Sequence, residues 1–335
     1  MGVVKMSKGK LIIQMQKLLK EKGKNAWESA KKEVFCERID YKPVRDALRY
    51  FMDKFWINFH HPALITLACE AVGGKAEITT DIGAALVLLT GAVDIHDDII
   101  DFTEVKGSKP TLLGIFGRDI ALITGNILLI KGLQLLSRAC SVLSKEKGGT
   151  VFDMVKDGFL KLGIGVARET QLRGCWNVTP EEYFEVIKYK AAIAETAVKI
   201  GAFLGGGSQK EVNCMAEYGK ILGILATIRD DFIDMFEPNE LMSRAKNECL
   251  PLPLLYAFKN SEARKEIIGL LEKEVLSEED TFAIVEVVMK SGELQELRKL
   301  MKTLLHKGIK CTNFIENKTI AKQLIDILAA TLEDL

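Results

Sequence analysis

Six aspartates in two short signatures, Asp97-Asp98-Ile99-Ile100-Asp101 and Asp230-Asp231-Phe232-Ile233-Asp234, are the residues of this chain most able to do chemistry. In each signature the first and last Asp stand four residues apart. On a helix they therefore share a face, with the middle Asp at its edge. Apolar sequence surrounds both, Gly91-Ala92-Val93 before the first and Gly223-Ile224-Leu225-Ala226 before the second. Carboxylates in such surroundings are costly unless something positive neutralises them. Two such faces, opposed, would hold hard divalent cations such as Mg2+, with waters completing the octahedra. The natural third party to a magnesium cluster is a phosphate ester.

The elements that must carry these faces read as helices. Apolar residues recur with a period of three to four, as at Ile82, Ala85, Leu86 and Leu89, and again at Ile120, Ile123, Ile127 and Leu128. Most of the seven prolines (Pro43, Pro62, Pro110, Pro180, Pro238, Pro251, Pro253) sit where helices would begin or end. Thr179-Pro180-Glu181-Glu182 is a helix start, with Thr as cap, Pro at the first position and an acid at the third. Loops are expected over 73–78, 102–110, 144–149, 174–179, 205–209 and 236–250. No linker separates two halves. The expectation is one all-α bundle over 1–335, its carboxylates pointing into a central cavity, with a basic N-terminal helix over about 1–32 and further helices over about 259–335.

Composition excludes other classes. Lys plus Arg and Asp plus Glu both total 46, so no global field attracts nucleic acid. Seven cysteines without paired metal spacing suggest reduced thiols and a cytoplasmic protein. There is no secretory h-region, and no uninterrupted apolar run reaches the ~20 residues of a spanning helix. Lys10 to Lys22 mixes apolar and basic residues at helical spacing; it reads as a helix packed on its own domain, with peripheral membrane contact as the alternative.

From about Trp56 to about Phe258 the chain resembles the trans-prenyltransferases, or isoprenyl diphosphate synthases, of the class I isoprenoid synthase superfamily. The resemblance rests on both Asp signatures, Lys109-Pro110-Thr111, Phe116-Gly117, Gln171, the stretch Tyr183 to Lys190, and Leu252-Pro253-Leu254-Leu255-Tyr256-Ala257. It implies that Mg2+, three ions in all, lies between the Asp faces and turns an allylic diphosphate into a leaving group. It also implies that Asp97, Asp98, Asp101, Asp230, Asp231 and Asp234 are metal ligands. Lys190 and Lys106 would hold the diphosphate, Gln171 would lie near the second cluster, and apolar helices would keep the cation dry. Val93 and Ala92 stand four and five places before the first signature, where the family's tunnel floor lies, and their small size suits a long prenyl chain. Asp94 is an extra acid one helical turn before Asp97. The family forms homodimers.

The departures concern the acceptor. The family binds isopentenyl diphosphate through Gly-Lys-x-x-Arg-Pro, a His and an Arg. Here that segment is Ile57-Asn58-Phe59-His60-His61-Pro62; the His falls on Thr90 and the Arg on Gly107. Each lost charge-assisted hydrogen bond is worth ~1.5–3 kcal/mol. Ala226-Thr227 replaces a Phe-Gln pair, Asn126 replaces an Asp, and Cys249 falls where a lysine would align, leaving Arg229, Arg244 or Lys246 to substitute. His60 and His61 read as fillers of a vacated pocket, and Trp27, Trp56 and Trp176 as packing.

These losses point to an enzyme that ionises a long allylic diphosphate without elongating it, by cyclisation, elimination or transfer to another acceptor. The alternative is ordinary extension with isopentenyl diphosphate, which Lys54, His60 and His61 would support if they rebuilt an anion site. A non-catalytic partner subunit is the second alternative, and two intact Asp signatures argue against it.

Overall fold

The computed structural model describes residues 9–333 and 335. Helices dominate it. In chain order they are α1 (Lys10–Phe35), α2 (Lys42–Tyr50), a π turn (Phe51–Phe55), α3 (His60–Ala71), a 3-10 turn (Ala76–Thr79) and α4 (Thr80–Ile100). A two-stranded hairpin follows, β1 (Val105–Lys106) and β2 (Lys109–Pro110). Then come α5 (Leu112–Ser141), α6 (Lys145–Gln171), α7 (Pro180–Lys190), α8 (Ala192–Leu204), α9 (Gln209–Asp234), α10 (Pro238–Asn247) and α11 (Leu252–Ala257). The last four are α12 (Ser261–Leu271), α13 (Glu278–Lys290), α14 (Leu294–Lys310) and α15 (Lys318–Ala330).

The all-α expectation holds, and local chemistry explains the boundaries. Thr179 and Glu182 close a reciprocal capping box on α7, with Pro180 at its first turn. Pro43 and Pro238 likewise open α2 and α10. The core is built where α3 packs on both α4 and α8, α4 on α5, and α8 on α9: α3 is buried over nearly its whole length, and α4 from Ile82 to Ala92 without a break. Burying helices on every side requires apolar residues all round, which explains why both carry so few charges.

Three loop expectations need correction. Residues 145–149 belong to the first turns of α6, which Ser144 caps by accepting from the Lys147 amide at 3.3 Å. Gly148 within that turn has a packing reason: a Cβ there would stand 2.4 Å from the Cys140 carbonyl oxygen. Within 236–250, α10 forms behind Pro238. Within 102–110, Val105–Lys106 and Lys109–Pro110 pair across a turn in which Gly107 takes φ +60°.

The expected basic N-terminal helix is α1 from Lys10 onward; residues 1–8 lie outside the described residues. It packs on α3, α4 and α15 through Leu19, Ala26, Trp27, Ala30 and Val34. Its first amides, Leu11 and Ile12, donate to the Glu333 carboxylate at 3.0 and 2.8 Å. Trp27 and Trp56 pack on one another with ring centroids 5.7 Å apart.

By length and composition alone, Ala76–Ile100 and Leu112–Ser141 are long and apolar enough to cross a membrane, although neither carries an uninterrupted apolar run of that length. Scattered polar residues break such a run without lowering a helix's mean hydropathy much. In this fold α4 is a core helix, while α5 exposes Ile115, Leu122, Ile123, Ile130 and Leu133.

Candidate active site

Both aspartate signatures end their helices: Asp101 caps the C-terminus of α4, and Asp234 is the last residue of α9. Carboxylates at the negative pole of a helix are disfavoured, by about 0.3–1 kcal/mol each when exposed. Six of them there make sense only if cations arrive. The chain leaves α4 through Phe102, a non-glycine residue at φ 56°, a strained conformation of the kind that concentrates at functional sites.

The protein already supplies some of the missing positive charge. Lys106, presented by β1, places Nζ 2.6 Å from Asp98 Oδ1 and 3.4 Å from Asp94 Oδ1. Asp94 is thus part of the Lys106 cluster. Arg173, just beyond α6, donates to Asp101 Oδ1 at 3.2 Å, to the Ile100 carbonyl at 2.9 Å and to the Asn247 carbonyl, fastening the ends of α4, α6 and α10 together.

In the second signature Asp231 is fully committed. Its Oδ1 accepts from Arg244 Nη2 at 2.9 Å and the Tyr183 hydroxyl at 3.2 Å, and its Oδ2 from the Leu252 amide at 3.0 Å. Arg244 is buried; it also donates to the Tyr183 oxygen at 2.6 Å and the Cys249 carbonyl at 2.8 Å, and lies 3.6 Å from Asp234 and 3.5 Å from Glu248. Among the three cations that could replace the family's missing lysine, Arg244 is the one on the carboxylates. Arg229 turns to backbone carbonyls of 330–333, and Lys246 donates to the Glu274 carbonyl. Between the two signatures, Lys190 pairs with Glu169 at 2.5 Å.

Asp97 and Asp230, the first residue of each signature, take no ion pair or hydrogen bond from another side chain among the described residues. Partial burial raises the Asp97 pKa; Asp230, which still meets solvent, is pushed to about 6 by the protein around it, the neighbouring Asp231 adding to the effect. Burial likewise pushes Asp98, Asp101 and Asp234 to about 7, with nearby acids adding to it and Lys106 or Arg244 opposing it where they reach. Glu169 moves the other way: burial raises it, but Lys190 and Arg244 prevail and hold it low.

The donor set suits Mg2+. Every candidate is a carboxylate oxygen, and Asp98 Oδ2 is buried with no hydrogen-bond partner. Among the described residues no three acidic, His or Cys side chains converge tightly enough for one ion.

Beside Asp230 opens a cavity of about 1080 Å³, walled by α1, α3, α8, α9 and α15. Asn58, His60 and His61 line it, with Lys190, Thr227 and Arg229. Asn58 accepts from the His60 amide at 2.9 Å and meets His61 Nδ1 at 3.3 Å, so the vacated acceptor positions are tied to one another. The surrounding protein lowers both histidine pKa values, His61 to about 4 with His60 adding to the effect, although His60 still meets solvent. Both are neutral at pH 7. Lys54 is exposed and does not line the cavity, so Lys54, His60 and His61 do not rebuild a cationic site.

Other expected site residues fall elsewhere. Gln171 ends α6 exposed, while Glu169 two residues earlier is buried and reaches Lys190. Thr227 lines the cavity but donates to the Gly223 carbonyl at 3.0 Å. Ala92 is buried in α4 and Val93 is half-buried; neither lines this cavity. His96 packs beside Gly125 of α5. Glu169, Arg173 and Glu248 escaped the sequence reading. Glu169 left a signal: Val151, Val155, Gly158, Gly165 and Glu169 form one buried stripe of α6, and an acid on such a stripe needs a partner.

The family model described as polyprenyl synthetase matches residues 60–288. A short chain isoprenyl diphosphate synthase of Methanothermobacter thermautotrophicus is 32% identical over 185 residues, which cover 55% of this chain and 56% of that protein. A geranylgeranyl diphosphate synthase of Methanosarcina mazei is 27% identical over 301 residues, 84% of this chain and 88% of its own length. The fold matches a crystal structure of geranylgeranyl pyrophosphate synthetase from Pyrococcus horikoshii Ot3 with a TM-score of 0.84, at 21% identity, over 96% of this chain and 99% of that one.

Proposed function

We propose, since this chain belongs to the polyprenyl synthetase family, that it is a trans-prenyl diphosphate synthase extending an allylic diphosphate with isopentenyl diphosphate. The observation that carries this reading is the pair of aspartate faces ending α4 and α9 around Lys190, in a chain whose relatives are named diphosphate synthases. The non-elongating reaction expected from the lost acceptor charges finds no support in those relatives, and extension replaces it.

Mg2+, held by Asp97, Asp101, Asp230 and Asp234, would offset the charge of the allylic diphosphate and ease its departure. The chain's own residues do the rest. Lys106 and Lys190 stay charged at neutral pH: burial works against them, but Asp94 and Asp98 around Lys106, and Glu169 and Asp97 around Lys190, prevail. They present fixed positive charge to the leaving group without moving far. The apolar walls of α8, α9 and α15 keep water from the allylic cation. Its C1 forms a bond with the acceptor's double bond, one proton leaves, and one diphosphate is released. Carriage of labelled isopentenyl diphosphate into a longer prenyl diphosphate tests the reading; an allylic substrate consumed without incorporation would refute it.

Metal binding should depend on pH in one direction. Carboxyls whose folded pKa values lie near 6 to 7 are largely protonated at pH 5.5, and protons then compete with the cation. At pH 7.5 they are ionised. The half-saturating Mg2+ concentration, followed by its stabilisation of the protein against heat, should fall at least tenfold between these pH values, and an unchanged midpoint would count against the site.

The same reading makes the protein a homodimer through the exposed apolar stripe of α5, with Phe152, Leu160 and Ile164 of α6 continuing it. Leu122→Asp with Ile130→Asp should halve the mass measured by light scattering and leave the helical signal intact. A mass unchanged by both substitutions would place any interface elsewhere.

Extension requires a cation for the acceptor's diphosphate, and the neutral pair His60 and His61 does not supply one.

A further inference from the structure

We propose that Arg229 is the acceptor's anchor, its guanidinium holding the diphosphate of isopentenyl diphosphate in the cavity beside Asp230; this rests on the extension reading. Two fully charged cations line that cavity, Lys190 and Arg229. Lys190 is engaged by Glu169 at 2.5 Å. Arg229 faces no carboxylate within ion-pair distance among the described residues. It donates Nη1 to the carbonyls of Ala330, Thr331 and Glu333 at 3.3, 3.4 and 2.7 Å.

Neutral carbonyls orient a guanidinium without cancelling its charge. The planar fork is thus fixed, with Nε and Nη2 meeting no acceptor among the described residues. That arrangement is suited to a phosphate, which a guanidinium binds through two parallel N–H donors. A group already held in place also loses little freedom when the ligand arrives.

The mounting is linked to another wall of the cavity. Glu333, whose carbonyl accepts from Arg229, also caps α1 through its carboxylate, and α1 closes the cavity with Ile12, Met15 and Leu19. Asn58 and Thr227 add neutral polar groups on the same lining. The positive charge lost from the segment before α3 is therefore supplied from α9, one residue ahead of Asp230.

Two substitutions separate charge from mounting. Arg229→Gln keeps a donor for the carbonyls and loses the charge; Arg229→Lys keeps the charge and loses most of the carbonyl bonds. Binding of isopentenyl diphosphate is measured by calorimetry in EDTA, where the aspartate faces cannot hold a diphosphate. Binding of farnesyl diphosphate with Mg2+ is measured separately. The expected result is a ten- to hundredfold loss of isopentenyl diphosphate affinity in Arg229→Gln, a loss several times smaller in Arg229→Lys, which keeps the charge without the fork, and a change of threefold at most in farnesyl diphosphate binding in both. Wild-type affinity in Arg229→Gln, or equal losses in both variants, would overturn the assignment and leave the extension reading intact. If the unsubstituted protein binds farnesyl but not isopentenyl diphosphate, the extension reading fails and the anchor falls with it.

Discussion

Asp97→Asn and Asp230→Asn should each slow turnover of an allylic diphosphate at least a hundredfold, while the metal-free protein becomes as stable as before or more so. The activity loss follows from removing an oxygen charge where a cation must sit beside a leaving diphosphate; losing one such electrostatic group costs about 10²–10³ in rate. The stability effect follows from pKa direction. Both carboxyls lie above the ordinary value of 3.8 because the surrounding protein, and for Asp230 the neighbouring Asp231, disfavours the ionised form; Asp230 still meets solvent, so its share is the smaller. A native acid with a raised pKa binds more protons than the unfolded chain does. The penalty for ionising it is absent below the unfolded pKa and is fully present above the folded one. At pH 7.5 the Asn variants escape that penalty. Burial raises the Asp231 pKa as well, but Asp231→Asn should do the reverse, because it breaks an ion pair and hydrogen bonds already made: its oxygens accept from Arg244, Tyr183 and the Leu252 amide. Thermal melts in EDTA separate the cases. If Asp97→Asn destabilises as much as Asp231→Asn, Asp97 is holding the fold rather than awaiting a cation.

Arg244→Met should be the most destabilising single change at the site. The guanidinium is buried against Asp231 and Tyr183, with Asp234 and Glu248 close by. Removing it leaves carboxylates buried without their main counter-charge, a situation that costs about 3–5 kcal/mol. Substituting both members can be far milder, because no uncompensated charge remains. Arg244→Met with Asp231→Asn should therefore recover much of the loss. Urea unfolding of the two single variants and the double variant gives the coupling directly. Additive effects would mean that Arg244 acts through packing rather than charge.

The comparison of Arg244 with Glu333 shows what could be read from the chain alone. The aspartate signatures, the Thr179 cap and the helix-opening prolines are local patterns, and each appears in the structure where its spacing implied. Arg244 could be named only as one of three candidate cations, because its partner lies 13 residues away across a helix boundary. Glu333 capping α1, over a separation of more than 320 residues, leaves no periodic trace at all. The same holds for Arg173, which fastens three helix ends through backbone carbonyls that any residue could provide. The acceptor side is harder to read for a related reason: the family's charges are absent from the segments that align with them, while Arg229 reaches the cavity from another helix.

The most direct test of prenyl chain extension counts two products of one reaction. Purified protein is given Mg2+, farnesyl or geranylgeranyl diphosphate, and carbon-labelled isopentenyl diphosphate, and both released diphosphate and incorporated label are measured. Extension predicts one diphosphate released for each isopentenyl unit joined, a longer prenyl diphosphate as product, and almost no release when the acceptor is withheld. Diphosphate released at full rate without the acceptor, with hydrocarbon or alcohol as product and no label incorporated, would contradict it.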